Sequence, residues 1–511
     1  MENNSLWQAK GTKGKNYHSL NGEKKCDVVV IGGGITGLTT AYRLSESGKE
    51  VVVLEASKIG SGTTGQSSCH LTTDIDTKYK TLYEDFDTEV MQMVAESRLE
   101  GIQYMEDVIR KENIECEFKR VPGYYYTEIP EDIQNIEEEF QHLQKTKLNV
   151  SLQDHAPLPF ETYKAIKFEN QAQFNAQSYL NGLAEAIDKK NGTIYENSRV
   201  IHIEEKDDYF IVSTDKGQVK ATKIVLATHL PIFFNVLQTV AAPYRSYMVV
   251  GKLKKKHPEG LFWDTAEPYY YTRYYSHDGD NYVVIGGKDH KTGSEEDSTK
   301  RYDALEKYLR EHFDVKSIEY KWSSQYYEPA DGLPYIGKSP FSRKAFVATG
   351  FSGDGLVYGT IAAIILSDLI NGKEHPWLYA YDAIRFTPAA SAYDFIRENA
   401  DAAKHFIVDR IASDGDELNN LGEGEGKILE IDGEKMAVCK DESGNLNAVS
   451  PVCTHLKCFV QWNNAETSWD CPCHGSRFTP KGEVLCGPAV KGLEKKKLPD
   501  AKVKSRANNK K

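Results

Sequence analysis

The chain has no long hydrophobic run. A bilayer crossing needs roughly 18 consecutive apolar residues. The most apolar stretch, Ile361 to Ile370, is shorter and is broken by Ser367 and Asp368. No apolar core precedes Cys26, so no secretory leader is expected. Positive charge is not in excess. The net charge of −12 disfavours a polyanion such as nucleic acid as the main partner. The nine cysteines do not form a secreted disulfide scaffold, because most of them crowd into the C-terminal end. Internal repeats and low-complexity tracts are also missing. These absences predict a cytoplasmic protein with no membrane span. Its 511 residues imply several domains.

What the late cysteines do is the first positive signal. Cys453-Thr-His455-Leu-Lys-Cys458 and Cys471-Pro-Cys473-His474-Gly-Ser476 each offer one cysteine and one histidine at the head of a short box. A [2Fe–2S] rhomb takes ligands from two sides, and two loops at the tip of a small β-domain can supply them. Two cysteines on one iron and two histidines on the other is the Rieske ligand pattern. Cys453 and Cys471 would hold the inner iron, His455 and His474 the outer one. A structural zinc site is the alternative, although zinc sites pair Cys with Cys and His with His. Cys26, Cys116 and Cys439 read as ordinary thiols.

The two boxes resemble those of Rieske proteins in cytochrome bc complexes. That resemblance implies a Cys458–Cys473 disulfide, a hydroxyl donor to the cluster in Ser476, and a covering loop in Gly487-Pro488-Ala489. Two departures stand out. Phe478 occupies the position of a tyrosine in high-potential members, which implies an intermediate potential. Lys457 replaces a glycine of the first box.

A second signal lies near the N-terminus. The apolar run Asp27 to Ile31 reads as a buried parallel strand. Gly32-Gly-Gly34-Ile-Thr-Gly37 follows, then a helical stretch to Ser47 closed by Gly48, then a strand ending at Glu55. Gly32 permits the tight turn, Gly34 admits a pyrophosphate to the backbone, and Gly37 lets helix cross strand. The helix N-terminus faces the phosphates, and Glu55 is placed for ribose hydroxyls.

Later segments resemble the D-amino-acid-oxidase-like (DAO) FAD family, which includes glycine and sarcosine oxidases. They are Gly60-Ser-Gly62-Thr63-Thr64-Gly65, the strand ending at Val200, Lys223 to Thr228, Asp331 to Gly337, and Ala348-Thr-Gly350-Phe-Ser-Gly353-Asp-Gly355. The resemblance implies FAD as cofactor. It adds Gly62, Thr63, Thr64, Val200, Gly350, Gly353 and Gly355 to the binding set. It also implies a helix from Leu356 whose N-terminus would stabilise an anionic reduced flavin. Some relatives attach flavin covalently through a histidine at the position of Gln66; the sequence does not support such a tether here, although Cys69 and His70 lie nearby.

The expected fold is an α/β Rossmann-like FAD-binding domain with an α+β substrate domain, plus a small all-β Rieske domain. Residues 1–24 form an extension. The flavin oxidoreductase spans 25–395, with FAD-binding segments near 25–90, 160–240 and 325–372 and tyrosine-rich substrate segments near 91–160 and 241–324. A linker at 396–416, the Rieske domain at 417–505 and a basic tail at 506–511 complete the chain. The whole arrangement resembles the bacterial YhfW-type fusion of these two domains.

The expected activity is FAD-dependent oxidation of an amine or amino-acid-like small molecule, with electrons leaving through the cluster to an external one-electron acceptor. Amino-acid-oxidising relatives carry an arginine before the Asp-Gly-x-Pro motif. Here that stretch is Gln325-Tyr-Tyr-Glu328-Pro329, without arginine. Glu328 suits a cationic amine instead, while Arg245 and Arg273 are candidates for holding a carboxylate from another strand. A reductase or oxygenase electron-transfer component and a non-enzymatic redox sensor are the alternatives.

Overall fold

The computed structural model describes residues 4–233, 235–385, 413, 414, 418, 420–441 and 443–498. The expected linker lies outside them except for Ser413 and Asp414, and so does the basic tail.

The strand Gly22–Ile31 is the centre of the first sheet. It pairs in parallel with Val51–Leu54 on one side and Gly217–Leu226 on the other. Gly192–Tyr195 and Ser342–Thr349 extend the parallel sheet outward. The valine runs are buried without alternation, as strands covered on both faces must be. The helix Ile35–Glu46 covers one face and packs against both Ala176–Asp188 and Gly355–Ile370. The stretch Ser352–Ile370 is long and apolar enough to cross a membrane by composition, but 72 % of it is buried inside the protein. It is apolar all round because it fills the core of this layer.

A second, mostly antiparallel sheet of nine strands stands beside the first. It contains the tyrosine-rich segments. It also takes in Lys164–Gln173 and Val315–Pro329, which hydrogen-bond to the insert strands Lys119–Thr127 and Ala241–Leu253. The sheet is therefore wider than the two segments marked off in the sequence. Within Tyr270–His277, strand alternation separates the tyrosines. Tyr270 stacks on Tyr308 of the helix Thr299–His312, with ring centroids 4.0 Å apart. Tyr271 turns to the other face and bonds Ser246.

The C-terminal domain is built, among the described residues, from two four-stranded sheets. Its small core gathers Cys439, Val449, Val460, Trp469, Phe478 and Ala489.

The N-terminal extension is part of the flavin domain's core. Ser5 and Gln8 form a capping box that starts the short helix Leu6–Lys10. Trp7 is fully buried, donates to Ser67 O at 2.7 Å, and sets its ring edgewise against Trp322 and Tyr275. Trp7→Ala is expected to lower stability by about 3–5 kcal/mol, read from denaturant unfolding.

Candidate functional site

One cavity of about 810 Å³ is lined by both large sheets. Its dinucleotide side is the turn after Gly22–Ile31. Gly32 has φ of +114°, and a Cβ there would stand 2.3 Å from Ala227 O. A Cβ on Gly37 would meet Gly32 O at 1.9 Å. Only glycine at both positions lets the strand turn back and the helix cross it. Gly34 caps the helix, and Thr64 Oγ1 accepts from Ile35 N at 3.1 Å, closing a cradle of backbone and hydroxyls. Glu55 accepts from Gly33 N at 2.7 Å and Ser57 N at 2.8 Å, and burial pushes its carboxyl above the usual range.

Of the residues expected to bind FAD, Gly32, Gly34, Glu55, Gly62, Thr63, Thr64, Val200, Gly353 and Gly355 line this cavity. Gly37 and Gly350 stand behind the wall, Gly37 at the helix crossing and Gly350 in a turn with φ of +74°. The N-terminal end of the helix Gly355–Ile370 opens onto the cavity through Phe351, Gly353 and Gly355. His70 lines it as well, whereas Gln66 and Cys69 do not. The glycine cradle, the acid at its end and the helix terminus together fit a dinucleotide flavin.

The rest of the cavity wall is aromatic and acidic. Tyr269, Tyr271 and Tyr326 face Asp76, Asp289 and Glu328. Tyr326 OH donates to Asp289 Oδ2 at 2.8 Å and lies 3.4 Å from Glu328 Oε1. Asp289 Oδ1 is buried with no hydrogen-bond partner within the protein, and burial pushes this carboxyl up to about 7. The cations on this wall are already held, Lys78 by Asp74 at 2.6 Å and Arg98 by Asp354 at 2.8 Å.

Neither Arg245 nor Arg273 lines the cavity. Strand parity is the reason. On Ala241–Leu253, Tyr244, Ser246 and Met248 face the cavity, and Arg245 points away, toward Glu466 of the C-terminal domain at 3.4 Å. Arg273 donates to the carbonyls of Ser68, Cys69 and Phe174 and lies over the Trp7 ring. The same parity divides Val315–Pro329. Ser324, Tyr326 and Glu328 face the cavity. Gln325 and Tyr327 face the C-terminal domain, where Gln325 Nε2 donates to Gly475 O at 2.9 Å and Tyr327 OH to His474 O at 3.2 Å. Leu485, Cys486, Gly487, Ala489 and Val490 of that domain also line the cavity.

The two cysteine–histidine boxes have matching backbones. Cys453 N donates to Cys458 O and Cys471 N to Ser476 O, each at 2.8 Å. Lys457 and Gly475 occupy equivalent turns with φ of +67° and +71°. A lysine there carries strain of about 1–2 kcal/mol, which explains why glycine is usual at that position. A disulfide joins Cys458 to Cys473, with Cα atoms 6.5 Å apart. Ser476 Oγ accepts from Ala489 N at 3.0 Å, anchoring the third loop.

The remaining donors are disposed for a metal. A hydrogen bond from Cys471 pulls the buried Cys453 thiol down to about 7 and pushes Cys471 up. The imidazoles of His455 and His474 lie 5.0 Å apart, nearly perpendicular. Burial pushes both down to about 4, so both are neutral at pH 7. Nδ1 of each is buried without a partner. Two thiols and two neutral imidazoles with unshared lone pairs fit a Rieske cluster, and on chemistry alone they also fit zinc.

A flavin cradle and an iron–sulfur donor set against one shared wall define a flavin- and iron–sulfur-dependent oxidoreductase. Residues 27–369 match the family of FAD dependent oxidoreductases (DAO), and residues 415–498 match the Rieske [2Fe-2S] domain. The chain belongs to the DAO family of FAD-dependent oxidoreductases and carries a C-terminal Rieske domain; it binds FAD and a Rieske cluster. A Bacillus subtilis (strain 168) protein described as a Rieske 2Fe-2S iron-sulfur protein, YhfW, is 34 % identical over 94 % of each chain. Gamma-glutamylputrescine oxidoreductase of Escherichia coli (strain K12) is 24 % identical over 72 % of this chain and 89 % of its own. The crystal structure of glycine oxidase from Geobacillus kaustophilus superposes with a TM-score of 0.60 at 18 % identity, covering 71 % of this chain and 99 % of that one.

Asp289, Asp76 and Tyr326 were not signalled by the sequence, because no motif marks which face of a strand meets a cavity. Cys453→Ser is expected to abolish the cluster's EPR signal while leaving the flavin absorbance intact, since the two donor sets share no residue.

Proposed function

We propose that the protein oxidises an amine, with a cationic amine favoured over an α-amino acid, and that the electrons leave through the Rieske domain to an external one-electron acceptor. The observation that carries this reading is the strand Val315–Pro329. Successive side chains face the flavin cavity and the second cysteine–histidine box in turn, so a single layer of sheet separates the two. When bound, FAD supplies hydride acceptance and the cluster supplies single-electron transfer.

The protein's own part is binding and exclusion. Asp289 and Glu328 offer carboxyl groups to an ammonium, and the tyrosine wall keeps water from the reacting carbon. The two cations beside the tyrosine wall, Lys78 and Arg98, already pair with Asp74 and Asp354. The fold of the amino-acid oxidases and the relative named for a putrescine derivative both support an amine substrate class. Four residues, Cys453, His455, Cys471 and His474, are proposed as the cluster ligands, with Ser476 beside them.

An anaerobic screen of monoamines, diamines, polyamines and α-amino acids, followed by flavin bleaching, tests the substrate class. Bleaching by cationic amines is expected. Bleaching by α-amino acids alone would overturn the preference, and no bleaching by any amine would overturn the activity. With an amine in hand, the pH dependence has a defined sign. Asp289, pushed up to about 7, is neutral below that pH and a carboxylate above it. Its attraction for a cation is therefore gained as pH rises, and KM should fall from about pH 6 to about pH 8. Asp289→Asn should flatten that profile and raise KM about tenfold, equivalent to about 1.4 kcal/mol.

A further inference from the structure

The segment Asn235-Val-Leu-Gln238 belongs to the flavin domain by sequence. It forms a capping box around the short turn Val236–Thr239, with the Asn235 and Gln238 side chains each bonding the other's backbone. Gln238 is 3 % exposed, and all its polar capacity is accounted for. Its amide nitrogen donates to Pro231 O at 2.7 Å and to Phe233 O. Those two bonds use both of its N–H groups, which leaves Oε1 as an acceptor only. That oxygen takes Asn235 N at 3.3 Å, and His455 Nε2 lies 3.1 Å from it.

Two nitrogens of one imidazole are thereby assigned. An oxygen that can only accept requires a proton on His455 Nε2. The other nitrogen, Nδ1, is buried and without a partner, and is the one left to a metal. We infer that Gln238, from the flavin domain, is a positioning residue for the Rieske site: it holds His455 as the Nε2–H tautomer and leaves Nδ1 for the metal. The inference rests on the reading of His455 as a ligand and is independent of the amine substrate.

The bond also has an electronic consequence. An acceptor on the remote N–H of a ligating imidazole makes that imidazole a stronger donor. A stronger donor favours the oxidised, more positive cluster and lowers its potential. Because donor and acceptor sit on different domains, this contribution exists only while the domains are seated together. Gln325 and Tyr327 hold the backbone of the second box to the same domain, so both boxes are fastened to the flavin side.

The test uses the full-length protein with both cofactors and needs no substrate. Gln238→Met keeps the side-chain length and removes the amide. Its EPR-monitored midpoint potential is expected to rise, with the cluster signal undiminished. An unchanged midpoint in a folded Gln238→Met protein overturns the inference. A second measurement avoids the variant. In dithionite-reduced wild-type protein moved to D₂O, pulsed ENDOR is expected to retain an exchangeable proton on a histidine's remote nitrogen after exposed amides have exchanged. Loss of that proton as fast as the exposed amides also overturns the inference. An EPR-silent, dithionite-treated protein that contains zinc instead of iron overturns the shared ligand reading itself, whereas a failed amine screen leaves this inference standing.

Discussion

A buried arginine whose counter-charge lies on the other domain governs how the two halves meet. Arg245 is 1 % exposed, and Glu466 lies 3.4 Å away across the seam. Glu466 also accepts from Tyr302 OH at 3.0 Å and lies 3.5 Å from Arg477, which is paired in turn with the fully buried Asp470. Desolvating one ion without a partner costs several kcal/mol. Arg245 also donates to Ser323 Oγ on its own sheet, so a shifted seating would cost it its counter-charge and leave only a neutral partner. The shared cavity wall, the single-layer partition and the cap on His455 belong to the same seating.

The division of labour along two adjacent strands shows how little material the design needs. On Ala241–Leu253 and Val315–Pro329, one parity serves the cavity and the other serves the Rieske domain. The alternation of a β-strand is enough to place acidic and aromatic groups on one side and amide and phenol donors on the other. Neither strand carries a loop or cofactor motif.

Local chemistry was legible in the sequence, and parity was not. The glycines after Ile31 and the two cysteine–histidine boxes could be recognised because each motif is complete within a few residues, with its backbone demands written in the glycines themselves. Arg245 and Arg273 were open candidates because their residue type suited a carboxylate. Which way they face depends on pairing with distant strands, and in the case of Arg245 on a register irregularity between Arg245 and Tyr247. Asp289 was invisible for the same reason. Gln238 sits in a readable capping box, but the histidine it reaches is 217 residues away. The extension before residue 25 showed its polarity and hid the residues that pack, Leu6, Trp7, Tyr17 and Leu20.

The stretch of wall supplied by Leu485, Cys486, Gly487, Ala489 and Val490 ties the cofactor to the seam. These residues lie on the flavin cavity yet come from the domain that follows the flavin fold in the chain. A flavin in the glycine cradle shares its cavity with both domains, so cofactor retention becomes a property of the interface as much as of the pocket.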